Sequence, residues 1–301
     1  MFIIKYKKIF FALSAILFIA SFFMIGFFGL NFGIDFKGGA LLEVSYPEGR
    51  PDTTAIEEKL KELALGETLI QQAGEKNVIV RTKDLSEGDR AAVLDALSLG
   101  GTARFEEQRF NSIGPIISSE LKRKALIAIA IVIVAIVLFI TFAFRRVSEP
   151  VSSWKYGMVA IVALAHDVVI PAGVFAVLGY FFIDYQVTVL FVSALLTILG
   201  FSIHDTIVVF DRIRENLRKN KESHANKEFS DVVGESLSQT FTRSINTSMT
   251  VVFVMLVLYF LGGEPTRQFA LALTVGIVAG TYSSIFLASP LLVVWEKWQR
   301  K

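Results

Sequence analysis

The stretch Gly200-Phe201-Ser202-Ile203-His204-Asp205-Thr206-Ile207-Val208-Val209-Phe210-Asp211-Arg212 closes an apolar run that begins at Val187. It sets an imidazole and a carboxylate side by side where the neighbours demand hydrocarbon. A second pair, His166-Asp167, stands inside another apolar run. A charge at such depth costs roughly 3 kcal/mol on insertion scales. Aliphatic residues would fill these positions without that penalty, so the pairs read as a site for protons, ions or a polar partner. The runs themselves decide the fold. A helix needs about 20 residues to cross the hydrocarbon core. Six blocks qualify, at residues 9–30, 125–144, 158–182, 187–210, 241–261 and 269–295. The chain reads as an α-helical polytopic membrane protein with six transmembrane helices.

Composition agrees. The chain has 301 residues, 53% of them hydrophobic, with a mean hydropathy of +0.56, too apolar for an ordinary globular protein. A net charge of only +2 gives no reason to expect nucleic acid. Absence of cysteine excludes disulfides and thiol catalysis. The first block follows Lys5, Lys7 and Lys8 as a secretory signal would, but it is long for one and no A-x-A site follows. It reads as an uncleaved anchor.

Orientation comes from Lys and Arg in the short loops. Lys5, Lys7 and Lys8 precede block one; Arg145, Arg146 and Lys155 follow block two. Arg212, Arg214, Arg218, Lys219, Lys221 and Lys227 follow block four, and Lys297, Arg300 and Lys301 close the chain. The alternate loops hold Asp184 and, near Glu264, only Arg267. All basic loops thus fall on one side, which places both termini in the cytoplasm. Trp154, Tyr156, Tyr180, Tyr185, Tyr259 and Trp295 stand near block ends, as interfacial aromatics do. Three regions result: 1–34, a cytoplasmic N-terminus and first helix; 35–124, an extracytoplasmic α+β domain; 125–301, helices two to six with a cytoplasmic loop over 211–240.

The outer region alternates strands and helices. Residues 41–46 read as a strand, and 53–65 as a helix capped by Thr53 or Thr54, with Ile56, Leu60 and Leu63 inward. Strands follow near 68–72 and 77–82. A second helix spans 86–99, capped by Ser86, with Val93, Leu94 and Leu97 inward, and a last strand covers 103–110. The order βαββαβ is the small ferredoxin-like pattern. With no His, Cys or phosphate-binding loop, the region reads as a binding or positioning module.

Polar residues mark a seam inside the membrane part. Asp167 lies about 21 Å below the outer end of the third block, near the midplane, at 1.5 Å per residue. Pro171 follows four residues on and lacks the N–H that would bond the carbonyl of Asp167. Asp205 lies about 27 Å deep in the fourth block, with Phe201, Ser202, Val208, Val209 and Arg212 on its face. In the fifth, Arg243, Asn246, Thr247 and Thr250 make one polar stripe, and Arg243 lies about 28 Å from the outer end. Carboxylate and guanidinium at one level of adjacent helices should pair, because each alone is costly. Gly276 and Gly280 form G-x-x-x-G, with Ser283 and Ser284 a turn on, and read as close helix packing. The second block, with no polar residue over 125–140, reads as peripheral.

These segments resemble the SecD/SecF family of protein-export membrane subunits, within the resistance-nodulation-division superfamily. Phe32-Gly33-Ile34-Asp35-Phe36-Lys37-Gly38-Gly39 is similar to the family's G-x-D-F-x-G-G signature. Gly114-Pro115 with Glu120-Leu121, and Ala165-His166-Asp167-Val168, resemble the approach to its second helix and its third-helix motif. Ser202 through Asn216, with Arg243-Ser244-Ile245-Asn246-Thr247-Ser248, resembles its fourth and fifth helices. His204 departs from the pattern, which has Asn before that Asp, so no relay role carries over to it. The resemblance implies a SecD partner with a larger outer domain, action beside the SecYEG channel, unfolded exported polypeptide as client, and proton flow coupled to late export steps. Asp205 and Arg243 match the positions used for protons, with Asp167 as a further candidate. His166, His204, Ser202, Asn246 and Thr247 are supporting polar groups.

Two other classes stay open at this point: a proton-coupled exporter of small molecules or ions, and a non-transporting assembly subunit whose membrane charges only fix helix pairing. The lack of G-x-x-x-x-G-K-[ST] argues against an ATPase. Neither His166 nor His204 has a Ser in a nucleophile context, and two separated His-Asp pairs make a poor metal site, which argues against an intramembrane hydrolase. No cofactor, metal or catalytic centre is called for.

Overall fold

The structure is a computed structural model that describes residues 2–66, 68–144, 152–182, 184–224 and 226–299. Arg145, Arg146, Arg300 and Lys301, used above for orientation, lie outside the described residues. The chain divides into two compact units, residues 1–31 with 127–301, and residues 32–126. Six helices among the described residues are long and apolar enough to cross a membrane.

In the first unit, α1 (Phe2–Lys5) leads into α2 (Lys7–Phe28). In the second lie α3 (Ile34–Lys37), β1 (Gly39–Ser45), α4 (Thr53–Glu62), β2 (Leu69–Ala73), β3 (Asn77–Thr82), α5 (Glu87–Leu97) and β4 (Glu106–Ile113). Then come α6 (Pro115–Ala143), α7 (Ser153–Phe181), α8 (Val189–Glu222), α9 (Phe229–Leu261), α10 (Glu264–Ser283), a π turn (Ser284–Ala288) and α11 (Ser289–Gln299).

The helical unit is built on small residues at crossings. A Cβ on Gly173 of α7 would stand 2.5 Å from the Ser21 Cβ of α2, so only glycine lets these helices meet. The same holds for α10 on α8: a Cβ on Gly276 would fall 2.1 Å from Ile198 Cδ1, and one on Gly280 2.9 Å from Ser202 Cβ. Pro290 cannot donate to Phe286 in an α ladder. The chain widens just before it into the π turn, and Ser289 Oγ donates to the Ser284 carbonyl at 3.2 Å. Helix α6 is largely exposed, as a peripheral helix should be. Tyr156 is fully buried, stacked on Phe144 at 5.3 Å between ring centroids.

Residues 211–240 are not a loop. Helix α8 runs on to Glu222 and α9 begins at Phe229. Ion pairs at helical spacing carry α8 past its apolar part: Arg214–Asp211, Arg212–Glu215 at 2.7 Å, Lys219–Glu215 at 2.7 Å and Arg218–Glu222 at 3.5 Å.

The second unit is a four-stranded sheet in the order β2-β3-β1-β4 with every neighbouring pair antiparallel. Leu42 sits between Val80 and Phe110 in register. Leu42, Val44, Tyr46, Val78 and Val80 pack against Ile56 and Leu60 of α4 and Val93 and Leu97 of α5. The Tyr46 hydroxyl donates to the Leu97 carbonyl at 2.9 Å, and burial pushes its pKa up to about 12. Gly38 and Gly39 open β1 at φ 76° and 121°. A Cβ on Gly39 would lie 2.6 Å from the Thr82 carbonyl oxygen, which is why this junction needs glycine.

Helix α4 is capped by Asp52, not Thr53 or Thr54: its carboxylate accepts from the Thr54 N–H at 3.1 Å. Ser86 caps α5 in a reciprocal box with Asp89. Hydrogen bonds from Ser86 hold the Asp89 carboxyl below its usual range. That stabilisation is therefore present above the unfolded carboxylate range and is lost as pH falls through the folded value. Ser86→Ala should remove about 1 kcal/mol from α5. Hydrogen exchange of the full chain should show the α5 amides exchanging about fivefold faster at neutral pH. Unchanged exchange there would mean that the cap is redundant.

Candidate functional site

The polar seam converges on Asp167. Helix α7 runs unbroken through Pro171 and carries this carboxylate into full burial. Its Oδ2 accepts from Ser202 Oγ of α8 at 2.5 Å and from Ser283 Oγ of α10 at 2.8 Å. Its Oδ1 lies 3.0 Å from His166 Nδ1. One carboxylate thus ties three helices together. The contacts are possible because Gly276 and Gly280 bring α10 against α8.

Further hydroxyl contacts extend this into a ladder. Thr206 Oγ1 meets Ser284 Oγ at 2.8 Å. Ser284 Oγ also reaches the carbonyls of Gly280 at 2.9 Å and Ser202 at 3.3 Å. Ser248 Oγ of α9 meets Thr281 Oγ1 of α10 at 2.5 Å. Each of these residues is buried. A seam of bonded hydroxyls around a carboxylate is a way to keep polar groups inside a bundle at little cost.

Asp205 sits one turn beyond Ser202 and is 6% exposed. Its Oδ2 is buried and has no hydrogen-bond partner. The groups that act on it are Ser244 of α9, His204 and Arg243, and Ser244 Oγ is likewise buried without a hydrogen bond. The direct Asp205–Arg243 pairing expected above is not formed: Arg243 is exposed on α9 and no ion pair joins it to Asp205. Asn246 and Thr247 are exposed with it, and His204 is exposed on α8. The inward face of α9 is Thr240, Ser244, Ser248 and Val252. That set is rotated by one residue, about 100°, from the stripe read in the sequence.

Of the expected residues the structure therefore joins Asp167, His166 and Ser202, sets Asp205 beside them, and leaves Arg243, His204, Asn246 and Thr247 outside. It adds Ser283, Ser284, Thr206, Thr281, Ser244 and Ser248. The signal for Ser283 and Ser284 was their place one turn after the glycine pair.

Chemically, Asp167 is saturated with donors and is a fixed acceptor. Asp205 has an oxygen free to take a proton. The hydroxyls of Ser202 and Ser283 point at a carboxylate and not at an imidazole, which is not the arrangement of an activated nucleophile. Among the described residues no group of three or more His, Asp and Glu side chains could hold a metal ion.

Residues 95–298 match the family described as "Protein export membrane protein SecD/SecF, C-terminal", and residues 23–46 match the "SecD/SecF GG Motif". The chain is 41% identical to the "Protein translocase subunit SecF" of Thermobaculum terrenum, over 98% of this chain and 93% of the relative. It is 37% identical to the protein of the same name from Anaerolinea thermophila, over 96% and 92%. Among solved structures it matches SecDF from Thermus, titled "a translocon-associated membrane protein", with a TM-score of 0.81 and 33% identity. That match covers 99% of this chain but only 38% of the other. SecDF in a super-membrane-facing form matches with a TM-score of 0.65 and 32% identity.

Proposed function

The chain belongs to the SecD/SecF family of protein-export membrane proteins, and from that premise we propose that it is an auxiliary subunit of the Sec translocase that uses the proton gradient to promote late steps of export. Its partners are SecD and the SecYEG channel, and its client is unfolded polypeptide emerging from the bilayer. It works as a transport subunit and not as an enzyme. Six helices of the inner membrane bring both termini to the cytoplasm, and the unit with the β2-β3-β1-β4 sheet is a ferredoxin-like domain on the outer side, between helices α2 and α6.

One observation supports coupling above the others: a buried carboxylate, Asp205, keeps an unpartnered oxygen beside a seam of hydroxyls. Such a group is costly unless it is protonated or paired. Two states satisfy it. In one, Asp205 carries a proton and Arg243 faces outward. In the other, Asp205 is ionised and Arg243 pairs with it. Arg243 adjoins Ser244, so a roll of α9 by less than the roughly 100° between neighbouring residues brings guanidinium to carboxylate. Helix α9 meets α10 through packing, through Arg267 Nε donating to the Tyr259 carbonyl at 3.2 Å, and through the Ser248–Thr281 hydroxyl contact, the last of which such a roll can break and remake. One proton would thus bias a two-position helix. Asp167 anchors α7, α8 and α10 as the frame against which α9 moves.

Purified from its own membranes, the chain should bring down SecD, and depleting it should slow release of a signal-bearing precursor on the outer side. A cysteine introduced at Gln71 should react with an impermeant thiol reagent in intact spheroplasts. Copurification without SecD, with export unchanged on depletion, refutes the assignment. Reaction of the Gln71→Cys variant only after the membrane is opened refutes the topology.

A further inference from the structure

Between α7 and α8 the segment 184–188 lies across the end of the helical unit that the loop charges assign to the outside. Its backbone is fastened to the frame helices. The Val187 N–H donates to the carbonyl of Asn31, just beyond α2, at 2.7 Å. Gln268 Nε2 of α10 donates to the Asp184 carbonyl at 2.5 Å. On α7 a Cβ at Gly179 would stand 2.7 Å from the Tyr185 carbonyl oxygen, so the segment settles there because the position is glycine. The Tyr185 ring meets Phe175 of α7 edge-on at 6.0 Å, and Phe175 meets Phe191 of α8 at 4.4 Å. Both phenylalanines are buried.

Toward α9 the segment makes a weaker contact. The Tyr185 and Tyr259 hydroxyls face each other at 3.4 Å, long for an O–H···O bond, which prefers roughly 2.7–2.8 Å. Burial, and then the neighbouring Tyr259 hydroxyl, push the Tyr185 hydroxyl up to about 12. The pair therefore stays neutral at cellular pH and answers to movement, not to titration. The Tyr259 carbonyl is held separately, by Arg267 Nε of α10 at 3.2 Å. At about 100° per residue, Tyr259 and Ser248 are about 20° apart in azimuth. Tyr259 thus continues the inward face of Thr240, Ser244, Ser248 and Val252. Arg243 and Tyr259 are about 160° apart. The tyrosine contact therefore belongs to the position of α9 in which Arg243 is turned out.

We propose that the Tyr185–Tyr259 contact is an outer latch on the coupling switch, closed while Arg243 faces outward and opened by the roll of α9 that brings Arg243 to Asp205. The inference rests on the proton-coupling reading above and adds the regulation of that same site. Half of the roll, about 50°, carries a group at the roughly 5 Å outer radius of a helix through about 4 Å. That breaks a hydroxyl contact already at 3.4 Å. The Tyr259 carbonyl lies nearer the axis and moves about half as far, so the Arg267 bond keeps the end of α9 in place while the ring swings. An order of events follows. With Asp205 ionised and paired, the latch is open and a proton enters from outside. With Asp205 protonated, α9 rolls back, the tyrosines meet, and the proton cannot return by its way in.

The test uses the full chain with SecD and the channel in proteoliposomes. The chain has no cysteine of its own, so introduced pairs define where it is bridged. A Tyr185→Cys/Tyr259→Cys pair bridged by a short bis-maleimide with a cleavable spacer should cut gradient stimulation of precursor release about tenfold. It should keep the gradient-independent rate and regain stimulation when the spacer is cleaved. An Asp184→Cys/Gln268→Cys pair, bridged in the same way, joins two parts of the frame and should keep stimulation within about twofold. Tyr185→Phe and Tyr259→Phe keep the ring packing and should each raise passive proton uptake by the vesicles about fivefold, with the double variant no higher than either. Full stimulation with positions 185 and 259 bridged overturns the latch and leaves the coupling reading standing. So does wild-type proton uptake in both phenylalanine variants. Loss of stimulation with both bridges overturns the latch as well, since the frame itself would then be moving. No stimulation in the unaltered chain refutes the coupling reading, and the latch with it.

Discussion

An Asp167→Ala variant is expected to lose about 3–5 kcal/mol of stability, the usual cost of removing one partner from a buried charged network. In nanodiscs its melting point should fall by about 10 °C. The side chain is fully buried and every contact it makes crosses to another group that is also buried: Ser202, Ser283 and His166. Truncation leaves the Ser202 hydroxyl and a ring nitrogen without their partner in a space that water does not reach, while Ser283 Oγ keeps the Gly280 carbonyl at 3.0 Å; each orphaned group costs about 1–3 kcal/mol. Asp167→Asn is the informative control. Its amide oxygen can still accept from the serines, and its NH₂ can face His166 Nδ1 once the ring hydrogen moves to Nε2. The Asn variant should therefore lose less than about 1.5 kcal/mol. An Ala variant that melts within about 2 °C of wild type would mean that the three-helix junction is held by packing at Gly276 and Gly280 and not by the carboxylate.

What the sequence revealed and what it concealed divide along physical lines. Burial of a charge among aliphatics is visible residue by residue, so Asp167, His166 and Asp205 stood out, and the six spans followed from length. Depth along a helix is likewise a count, which is how Arg243 and Asp205 came to be expected at one level. Azimuth is not a count. Positions 243, 246, 247 and 250 form a polar stripe, and so do 240, 244 and 248 beside it. Only packing chooses which faces inward, and it chose the serines. The pair Ser283 and Ser284 was read as packing because it follows Gly276 and Gly280. The structure gives it both roles: the glycines permit the approach, and the approach puts the hydroxyls within reach of Asp167 and Thr206. In the sheet-bearing unit all four strands were located; β3 was read to the residue and β2 within one, while β1 starts two residues earlier than read and β4 lies three residues further on, because ladder bonds and not side chains set the ends. The Asp52 cap escaped since two threonines follow it, and only the Thr54 N–H geometry identifies the acceptor. The helical arms over 211–222 and 229–240 looked like a loop because they are charged, while their charges are spaced to sustain a helix.

Asp205→Asn should abolish the dependence of export on the proton gradient while leaving the protein inserted and bound to SecD. The argument is one of shape against charge. Asn fills the same volume and can face Ser244, so the helices keep their packing. It cannot be ionised, so the state in which Arg243 pairs with a carboxylate is no longer favoured, and α9 has one resting position instead of two. Arg243→Gln removes the other half of the same switch. It should give the same loss, and the double variant should be no worse than either single one, since coupled residues acting as a unit are not additive. Asn246 and Thr247 make a contrast set: they share the exposed face of α9 with Arg243 but carry no charge, so their alanine variants should keep gradient dependence within about twofold. The measurement is precursor release from inverted-orientation-controlled proteoliposomes holding the chain, SecD and the channel, with and without an imposed gradient. Wild-type release should rise with the gradient, and the Asn variant should show the same rate in both conditions. Full gradient stimulation of the Asp205→Asn variant at wild-type expression would make Asp205 structural and leave the coupling to be sought at Asp167. A double variant much weaker than either single one would mean that Asp205 and Arg243 act on separate steps.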